Sequence, residues 1–164
     1  MNNVTLLLGS NVGNRFTHLE TALEMIRMEI GKITLRSSVY ETEPWGNTKQ
    51  DFFLNQVVVF ESSLNAEKIM ELIISMEKKM GRERAEKWGP RIIDIDILFF
   101  NEDIISTEQL TVPHPSLHHR KFTLIPLNEI MPGFTHPVFK KNISDLLNDL
   151  TDQLEVRKTT ANLA

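Results

Sequence analysis

The chain has 164 residues, 41% of them hydrophobic and 24% charged, with a formal net charge of −4 at pH 7. This length and composition predict a single globular domain over residues 1–164 with a core of its own. The acidic balance disfavours broad binding to nucleic acid or to membrane surfaces, which favour a basic face. The sequence contains no cysteine, which excludes disulfides and thiolate metal sites.

The N-terminal sequence carries neither a basic leader nor a long apolar run. Residues 1–8, Met-Asn-Asn-Val-Thr-Leu-Leu-Leu, pass directly into a predicted strand. No stretch of the chain approaches the roughly 18–20 apolar residues of a membrane span. We therefore expect a cytoplasmic protein without a signal peptide.

The first half of the chain alternates between strand and helix patterns. Apolar residues recur at helical spacing after a turn-rich loop, and a second, longer loop separates two strands rich in β-branched residues. Long connections of this kind are commonly functional. The predicted elements are, in order, a strand at 4–8, a loop with a helix cap at 9–14, a helix at 15–29, and strands at 33–42 and 52–61 joined by the loop at 43–51.

The second half continues this pattern. A helix is predicted over 65–80, with Gly81 as its C-cap, followed by a strand that ends at residue 100. Helices are predicted at 122–130 and 143–150, and a polar, loosely packed tail at 152–164. The order strand-helix-strand-strand-helix-strand predicts a ferredoxin-like α+β sandwich. Its sheet should be mainly antiparallel, with the first helices on one face and room for the later helices on the other.

The stretch over residues 82–100 carries the strongest chemical signal. In its strand half, Asp94 and Asp96 share one face, with Leu98 and Phe100 beyond them. Positions two apart on a strand lie roughly 6.5–7 Å apart, so both carboxylates can approach one point. The opposite, buried face should hold Ile93, Ile95, Ile97 and Phe99.

Paired carboxylates repel each other unless a cation lies between them. Mg²⁺ suits such a pair, because it takes one or two carboxylates and completes its shell with water and substrate phosphates. The preceding loop adds basic side chains, namely Arg82, Arg84, Lys87 and Arg91. Magnesium beside guanidinium groups is typical of a polyphosphate site. A solvated strand edge is the alternative interpretation of an isolated Asp-x-Asp pattern.

Three motifs together resemble one enzyme family. The central motif over 82–96, R-x-R…W-G-P-R-x-x-D-x-D, resembles the signature of 6-hydroxymethyl-7,8-dihydropterin pyrophosphokinases. The segment over 40–55, Y-x-T-x-P-x-G followed by F-x-N, is similar to the pterin-binding segment of that family. The segment over 112–122, V-P-H-P…R-x-F, is similar to its nucleotide-binding segment.

The resemblance implies a reaction and a set of site residues. The reaction transfers pyrophosphate from ATP, the co-substrate, to the pterin alcohol, giving AMP and the pterin diphosphate in folate biosynthesis. Asp94 and Asp96 would hold two Mg²⁺ ions in a monomer that acts on small molecules. The implied catalytic residues are Arg82, Arg91, Asp94 and Asp96. The implied nucleotide contacts are Glu77, Arg84, Trp88, Ile97, Thr111, His114 and Arg120. The implied pterin contacts are Thr42, Glu43, Trp45, Phe53, Asn55 and Phe122.

The chemistry of a pterin fits these assignments. An Asn side chain can pair with the amide-and-amine edge of the flat ring, as Asn pairs with adenine, and aromatic rings can cover its faces. Two alternatives remain at this stage. A palm-like nucleotidyltransferase also uses paired strand aspartates and Mg²⁺ but releases pyrophosphate. A ferredoxin-like RNA-binding module is the non-enzymatic alternative, which the acidic composition disfavours.

Overall fold

The computed structural model describes residues 1–44, 49–82 and 90–159. Its main sheet contains six strands, and a separate two-stranded sheet follows the fifth strand. The strands are β1 (Asn2–Ser10), β2 (Lys32–Arg36), β3 (Tyr40–Thr42), β4 (Phe53–Ser62), β5 (Asp94–Phe100), β6 (Ile105–Ser106), β7 (Thr111–Val112) and β8 (Val156–Lys158). The helices are α1 (Arg15–Glu29), α2 (Ala66–Lys79), α3 (Lys121–Ile130) and α4 (Ile143–Asn148).

The main sheet has the order β5-β1-β4-β3-β8, with β2 paired beside β3 along the same edge of β4. The strand pairings of this sheet are antiparallel. Long strands β1 and β4 form its centre, and β5 lies on the outer side of β1. The predicted ferredoxin-like α+β fold is therefore confirmed.

Helices cover both faces of the sheet. On one face, α1 and α2 bury an apolar stripe against β1, β4 and β5 through residues such as Leu23, Ile26, Ile69, Ile73 and Met76. On the other face, α3 and α4 pack on the sheet through Leu124, Leu127, Ile143 and Leu146. The prediction that later helices could cover the second face is confirmed. No helix in the described part of the chain has the length and apolar character needed to cross a membrane.

The strand predicted over 33–42 is two strands, so this prediction was wrong. The register against β4 shifts inside β2, where Ile33 pairs with Phe60 but Leu35 pairs with Val59. Between β2 and β3, the Ser37 hydroxyl accepts a hydrogen bond from the Val57 N–H at 3.0 Å and interrupts the ladder. Bulges of this kind add one residue to one strand and increase its bend.

A second bulge changes the face of a predicted core residue. Opposite β1, Thr5 pairs with Phe99 but Leu6 pairs with Ile97, so Leu98 is the extra residue. Phe99 therefore does not share a face with Ile97, as its spacing predicted. It packs in the α3–α4 core with its ring centroid 4.6 Å from that of Phe134, and Phe100 turns to the α1–α2 core.

Strand β8 was not anticipated, because the polar tail was predicted to be loosely packed. Its residues pair with β3, with Val156 opposite Thr42 and Lys158 opposite Tyr40. The described residues of the tail thus extend the sheet at the edge that leads into the loop after β3.

Candidate active site

The candidate site lies on the α3 side of the sheet, where four strands carry one row of residues. Asp94 of β5 pairs with Gly9 of β1, and Gly9 pairs with Asn55 of β4. Tyr40 of β3 continues the row. Directly paired residues point to the same face, and neighbouring strands lie roughly 4.8 Å apart. The Asp94 carboxylate and the Asn55 amide therefore project from one face, on strands about 10 Å apart.

A pocket of about 560 Å³, including its open mouth, extends over this row. Acidic groups and arginines occupy one end, and an amide, a hydroxyl and two aromatic rings occupy the other. The lining residues are Leu7, Gly9, Thr42, Glu43, Phe53, Asn55, Arg91, Asp94, Asp96, Arg120 and Phe122. Nine of these eleven residues were predicted as site residues, and Leu7 and Gly9 were not.

The end of helix α2 brings Arg82 to the acidic end. Gly81, with a φ of 91°, donates its N–H to the Lys78 carbonyl, and Arg82 donates its N–H to the Glu77 carbonyl, both at 3.0 Å. This pattern is a Schellman cap, which confirms Gly81 as the C-cap. The Arg82 side chain pairs with the Glu77 carboxylate, and its Nη1 donates to Asp94 Oδ1 at 3.0 Å.

Glu77 lies behind the site and not in its lining. Its side chain is buried, and its Oε2 accepts a hydrogen bond from the Ile95 N–H at 3.0 Å. Burial raises the pKa of Glu77, whereas the charge of Arg82 acts in the opposite direction. Glu77 was predicted to contact the nucleotide, but in the structure it is buried and connects α2 to β5 through the Ile95 N–H. Its ion pair with Arg82 also orients the Arg82 side chain toward Asp94.

The two aspartates form an electrostatically strained pair. Burial raises the pKa of the Asp96 carboxyl, and repulsion from Asp94 raises it further, while Arg120 lowers it. Asp94, by contrast, has a direct partner in Arg82. Among residues 1–44, 49–82 and 90–159, no three metal-ligating side chains cluster together. A cation at this pair would therefore take further ligands from water or from a substrate.

His114 presents an N–H group to the same end. Its Nδ1 accepts a hydrogen bond from the Ser116 N–H at 3.1 Å, so in the neutral ring the proton resides on Nε2. That Nε2 lies 3.9 Å from Asp96 Oδ2. Burial, helped by the charge of Arg120, lowers the pKa of His114 to about 4. His114 is thus a neutral donor at pH 7, adjacent to the aspartate pair.

The opposite end of the pocket is lined by a polar amide and two aromatic rings. Asn55 is buried, and its Nδ2 donates to the Thr42 hydroxyl at 2.7 Å. Phe53 lines the pocket from β4, and Phe122 lines it from the first turn of α3. The Arg120 guanidinium carbon lies 5.5 Å from the centroid of the Phe122 ring.

Gly9 is a site residue that sequence reasoning missed. A Cβ at this position would lie 2.8 Å from Asn55 Oδ1 and 3.6 Å from Phe53 Cδ1. Real Cβ atoms do not approach an oxygen so closely, so any side chain here would displace the Asn55 amide. The alternation of β1 could have placed Leu7 and Gly9 on the face of Asp94, had the register been known.

Asn11 is a second missed residue, interpreted from sequence only as part of a turn. It is buried, its Oδ1 accepts from the Arg91 N–H at 2.8 Å, and its own N–H donates to the Arg91 carbonyl at 3.0 Å. Its Nδ2 donates to Gln50 Oε1 at 2.9 Å and to the Asp51 carbonyl at 3.0 Å. Asn11 therefore joins the loop after β1 to the two segments that flank the pocket.

Some predicted residues lie elsewhere. Ile97 is buried in the α1–α2 core, on the face opposite the aspartates. Thr111 is exposed on the short strand β7 and is not part of the pocket lining. Trp45, Arg84 and Trp88 lie outside the described residues.

The fold and the site together define a class of protein. A ferredoxin-like sandwich whose pocket joins paired carboxylates and arginines to an amide between aromatic rings is a phosphotransferase with two small-molecule substrates. Comparison with known sequences and structures gives the family.

A model of the 7,8-dihydro-6-hydroxymethylpterin-pyrophosphokinase (HPPK) family matches residues 5–132. The 2-amino-4-hydroxy-6-hydroxymethyldihydropteridine pyrophosphokinase of Aquifex aeolicus is 43% identical over 147 residues, covering 88% of this chain and 90% of that protein. The protein of the same name from Bacillus subtilis is 46% identical over 132 residues and covers 79% of each chain. An HPPK-DHPS structure from Plasmodium falciparum, with pterin and p-hydroxybenzoate, has a TM-score of 0.75 at 22% identity. That match covers 90% of this chain and 43% of the Plasmodium chain, and it supports the fold.

The chain belongs to the HPPK family. It is an ATP-dependent pyrophosphokinase that transfers pyrophosphate to 6-hydroxymethyl-7,8-dihydropterin, giving AMP and the pterin diphosphate in folate biosynthesis. The prediction from the three motifs is confirmed, and family membership favours neither the palm-like nucleotidyltransferase nor the RNA-binding module.

Proposed function

We propose that the two ends of the pocket divide the two substrates between them. The pterin lies at the Asn55 end and the polyphosphate of ATP at the Asp94–Asp96 end. The observation that carries this division is the row of paired residues from Asp94 through Gly9 to Asn55. This row puts a polar edge and an acidic pair on one face of the sheet, on strands about 10 Å apart. In the proposal, the pterin hydroxymethyl group lies between them.

At the pterin end, Asn55 recognises the amide-and-amine edge of the ring. Its Nδ2 donates to Thr42 and its Oδ1 faces Gly9, so the amide plane is fixed before the substrate arrives. Phe53 and Phe122 contact the ring faces from the sheet and from α3. Glu43, which lines the pocket, completes the proposed pterin contacts together with Trp45, which is proposed on the family resemblance alone.

At the phosphate end, the Asp94–Asp96 pair fits two magnesium ions. Burial and repulsion from Asp94 raise the pKa of Asp96, and a divalent cation between the two carboxylates would remove that repulsion. Carboxylate oxygens are ligands that suit Mg²⁺. Asp94 and Asp96 would hold the metal, which when bound would supply positive charge to neutralise the phosphates. Lining residues Arg91 and Arg120 are placed to balance the remaining phosphate charge.

The remaining residues at this end orient the others or the nucleotide. Arg82, held by Glu77, fixes Asp94 by its hydrogen bond at 3.0 Å. His114 donates from Nε2 toward Asp96 or a phosphate oxygen. Arg84, Trp88 and Thr111 remain proposed nucleotide contacts on the family resemblance, whereas the side chain of Ile97 is buried on the opposite face of the sheet. Much of the rate comes from holding the hydroxyl and the β-phosphorus in line, so that their bond forms as AMP leaves.

The same proposal includes the state of the protein in the cell. We expect residues 1–164 to act as one pyrophosphokinase domain, monomeric and cytoplasmic, on small molecules and not on nucleic acid. The net charge of −4 supports the last point, since nucleic-acid binding favours a basic surface. Light scattering after size exclusion tests the monomer directly.

Calorimetric titration of Asn55→Ala tests the division of substrates. The variant should lose pterin affinity by on the order of 1–3 kcal/mol, about 5- to 150-fold, because a buried polar edge of the ligand loses its partner. Its affinity for a magnesium complex of a non-hydrolysable ATP analogue should stay at the wild-type value. An equal loss of nucleotide affinity would show that the pterin does not bind at this end.

A further inference from the structure

The N-terminus of helix α3 is capped by a residue from the C-terminal tail. Arg120, at the N-cap position, makes no side-chain capping bond of its own. Instead, Asp152 Oδ2 accepts a hydrogen bond from the Lys121 N–H at 2.9 Å, and Asp152 Oδ1 accepts from the Leu154 N–H at 2.9 Å. One carboxylate therefore fixes both the first turn of α3 and the course of the tail.

Three residues further on, the same tail contacts the opposite wall of the pocket. The Glu155 N–H donates to Glu43 Oε1 at 2.6 Å, and the Glu43 N–H donates to the Glu155 carbonyl at 3.2 Å. Strand β8 follows directly and pairs with β3, where Val156 lies opposite Thr42. Thr42 and Glu43 both line the pocket.

Residues 152–155, which we call the C-terminal bridge, thus join two walls that are far apart in sequence. One wall is the first turn of α3, with Arg120 and Phe122, and the other is the end of β3. The bridge lies beyond residues 5–132, to which the family model corresponds.

We propose that Asp152 is a positioning residue for the pterin pocket, acting through the first turn of α3. Its carboxylate sets the orientation in which Phe122 meets the pterin and Arg120 meets the phosphates. The argument rests on the proposed function for the role of Phe122, but the contact between Asp152 and α3 is independent of it. Without the cap, the first turn of α3 can fray, and the Phe122 ring and the Arg120 guanidinium are then no longer held in one position.

Three variants distinguish a role of Asp152 in positioning the pocket from a purely structural role, and a fourth is kept as a replacement. Asp152→Ala removes both hydrogen bonds, whereas Asp152→Asn keeps one acceptor oxygen, enough to cap the Lys121 N–H but not also to accept from the Leu154 N–H. Asp149→Ala is the matched control, because Asp149 follows α4 directly and lies three residues before Asp152. Its exposed carboxylate pairs with Lys141 at 2.8 Å and, among the described residues, has no hydrogen bond to α3. Asp152→Glu, which keeps the charge on a longer side chain, replaces the alanine variant if that variant does not fold.

Two measurements are made on each variant. Steady-state kinetics should show KM for the pterin raised about three- to tenfold in Asp152→Ala, the range expected for losing one capping group. KM should be raised less in Asp152→Asn, which keeps one of the two bonds, and should stay near wild type in Asp149→Ala. Hydrogen exchange of the ligand-free protein should show the amides of residues 121–124 exchanging fastest in Asp152→Ala, and at the wild-type rate in Asp149→Ala.

The outcomes separate the possibilities. Faster exchange with an unchanged pterin KM would reduce Asp152 to a structural cap and overturn the proposal. Unchanged exchange, or an asparagine variant as impaired as the alanine variant, would overturn the capping argument. Asn55→Ala, measured alongside, reports on the pterin pocket itself. If that variant kept its pterin affinity, the assignment of the pterin to this pocket would be wrong. The exchange data would still show whether Asp152 caps the first turn of α3.

Discussion

Gly9 on β1 pairs with Asn55 on β4, and their close approach fixes the position of the Asn55 amide at the end of the pocket proposed for the pterin. The missing Cβ of Gly9 leaves room for the Asn55 oxygen, and the Thr42 hydroxyl accepts from the Asn55 amide nitrogen. Small residues therefore matter here as much as the polar group that we propose contacts the pterin.

Gly9→Ala should weaken pterin binding without a direct contact to the pterin. The new methyl group would lie 2.8 Å from Asn55 Oδ1, so the amide must shift from its hydrogen bond with Thr42. We expect a loss of roughly 1–2 kcal/mol in pterin affinity, measured by calorimetry. Gly133→Ala, where an added Cβ meets nothing within 4 Å, is the matched control. Equal pterin affinity in the two variants would contradict this account of Asn55.

Single residues also show what a sequence can and cannot reveal about a site. Asp94, Asp96 and Asn55 were identified because family motifs mark them, and the structure brings all three to one pocket. Gly9 and Asn11 were missed because their roles depend on partners 46 and 80 residues away, Asn55 and Arg91, which no local pattern reveals.

At the scale of elements, helices were easier to predict than strand boundaries. The amphipathic spacing that defines α1 is local, and its predicted bounds equal the observed Arg15–Glu29. The bulges in β2 and opposite Leu6 depend on the partner strand, so a regular alternation gave the wrong face for Phe99. Strand β8 is short and polar, and it exists because β3 offers a free edge.

Asn11 tests how loops are tied to the site. Asn11→Ala removes the side-chain hydrogen bonds to the Arg91 N–H, Gln50 and Asp51 but keeps the backbone bond to the Arg91 carbonyl. We expect a stability loss of about 1–3 kcal/mol and a kcat/KM about tenfold lower. Asn14→Ala, which removes the N-cap of α1 and its bond to the Thr17 N–H at 3.1 Å, should cost about 1 kcal/mol of stability and leave kcat/KM unchanged. Denaturant unfolding and steady-state assays measure both. A fall in kcat/KM that tracks stability equally in the two variants would refute a specific role for Asn11.

At the scale of the whole molecule, one sheet separates two cores, and the pocket lies beside the second core. That core includes Phe99, whose ring also meets the His136 ring edge-on at a centroid distance of 5.7 Å. His136 is buried, and its Nδ1 accepts from the backbone N–H groups of Val138 and Phe139. A charged imidazolium is disfavoured at such a position.

His136 should make the fold sensitive to acid. Burial, with a contribution from His118, lowers the pKa of His136 to about 4, whereas the unfolded chain has a pKa of about 6.5. Between these values the unfolded state binds more protons, so stability falls as the pH falls from about 6.5 to 4. In His136→Asn, the loss of unfolding free energy on acidification should be smaller than in the wild type by on the order of 1–3 kcal/mol. A contribution from His114, whose pKa is also lowered, should remain. Urea unfolding at pH 7.5 and 4.5 gives the difference, and an unchanged pH dependence would exclude His136 as the cause.

Asp96→Asn tests most directly the central claim that the aspartate pair is the cation and phosphate site. Asp96 is the better position than Asp94, whose carboxylate also holds Arg82 at 3.0 Å. Asparagine keeps the size and one oxygen but loses the charge, so kcat should fall at least 10²–10³-fold, or about 3–4 kcal/mol of barrier.

Burial, with repulsion from Asp94, raises the pKa of Asp96 to about 8. The folded state therefore binds more protons than the unfolded state between the ordinary carboxyl pKa of about 4 and about 8, so the wild type loses stability as the pH rises through this range and Asp96→Asn should not. The decisive measurement is therefore kcat together with Tm in the absence of Mg²⁺ for Asp96→Asn. The account predicts a large loss of turnover with a Tm equal to or higher than that of the wild type. Near-normal turnover with an earlier melting transition would contradict it, because Asp96 would then serve the fold and not the reaction.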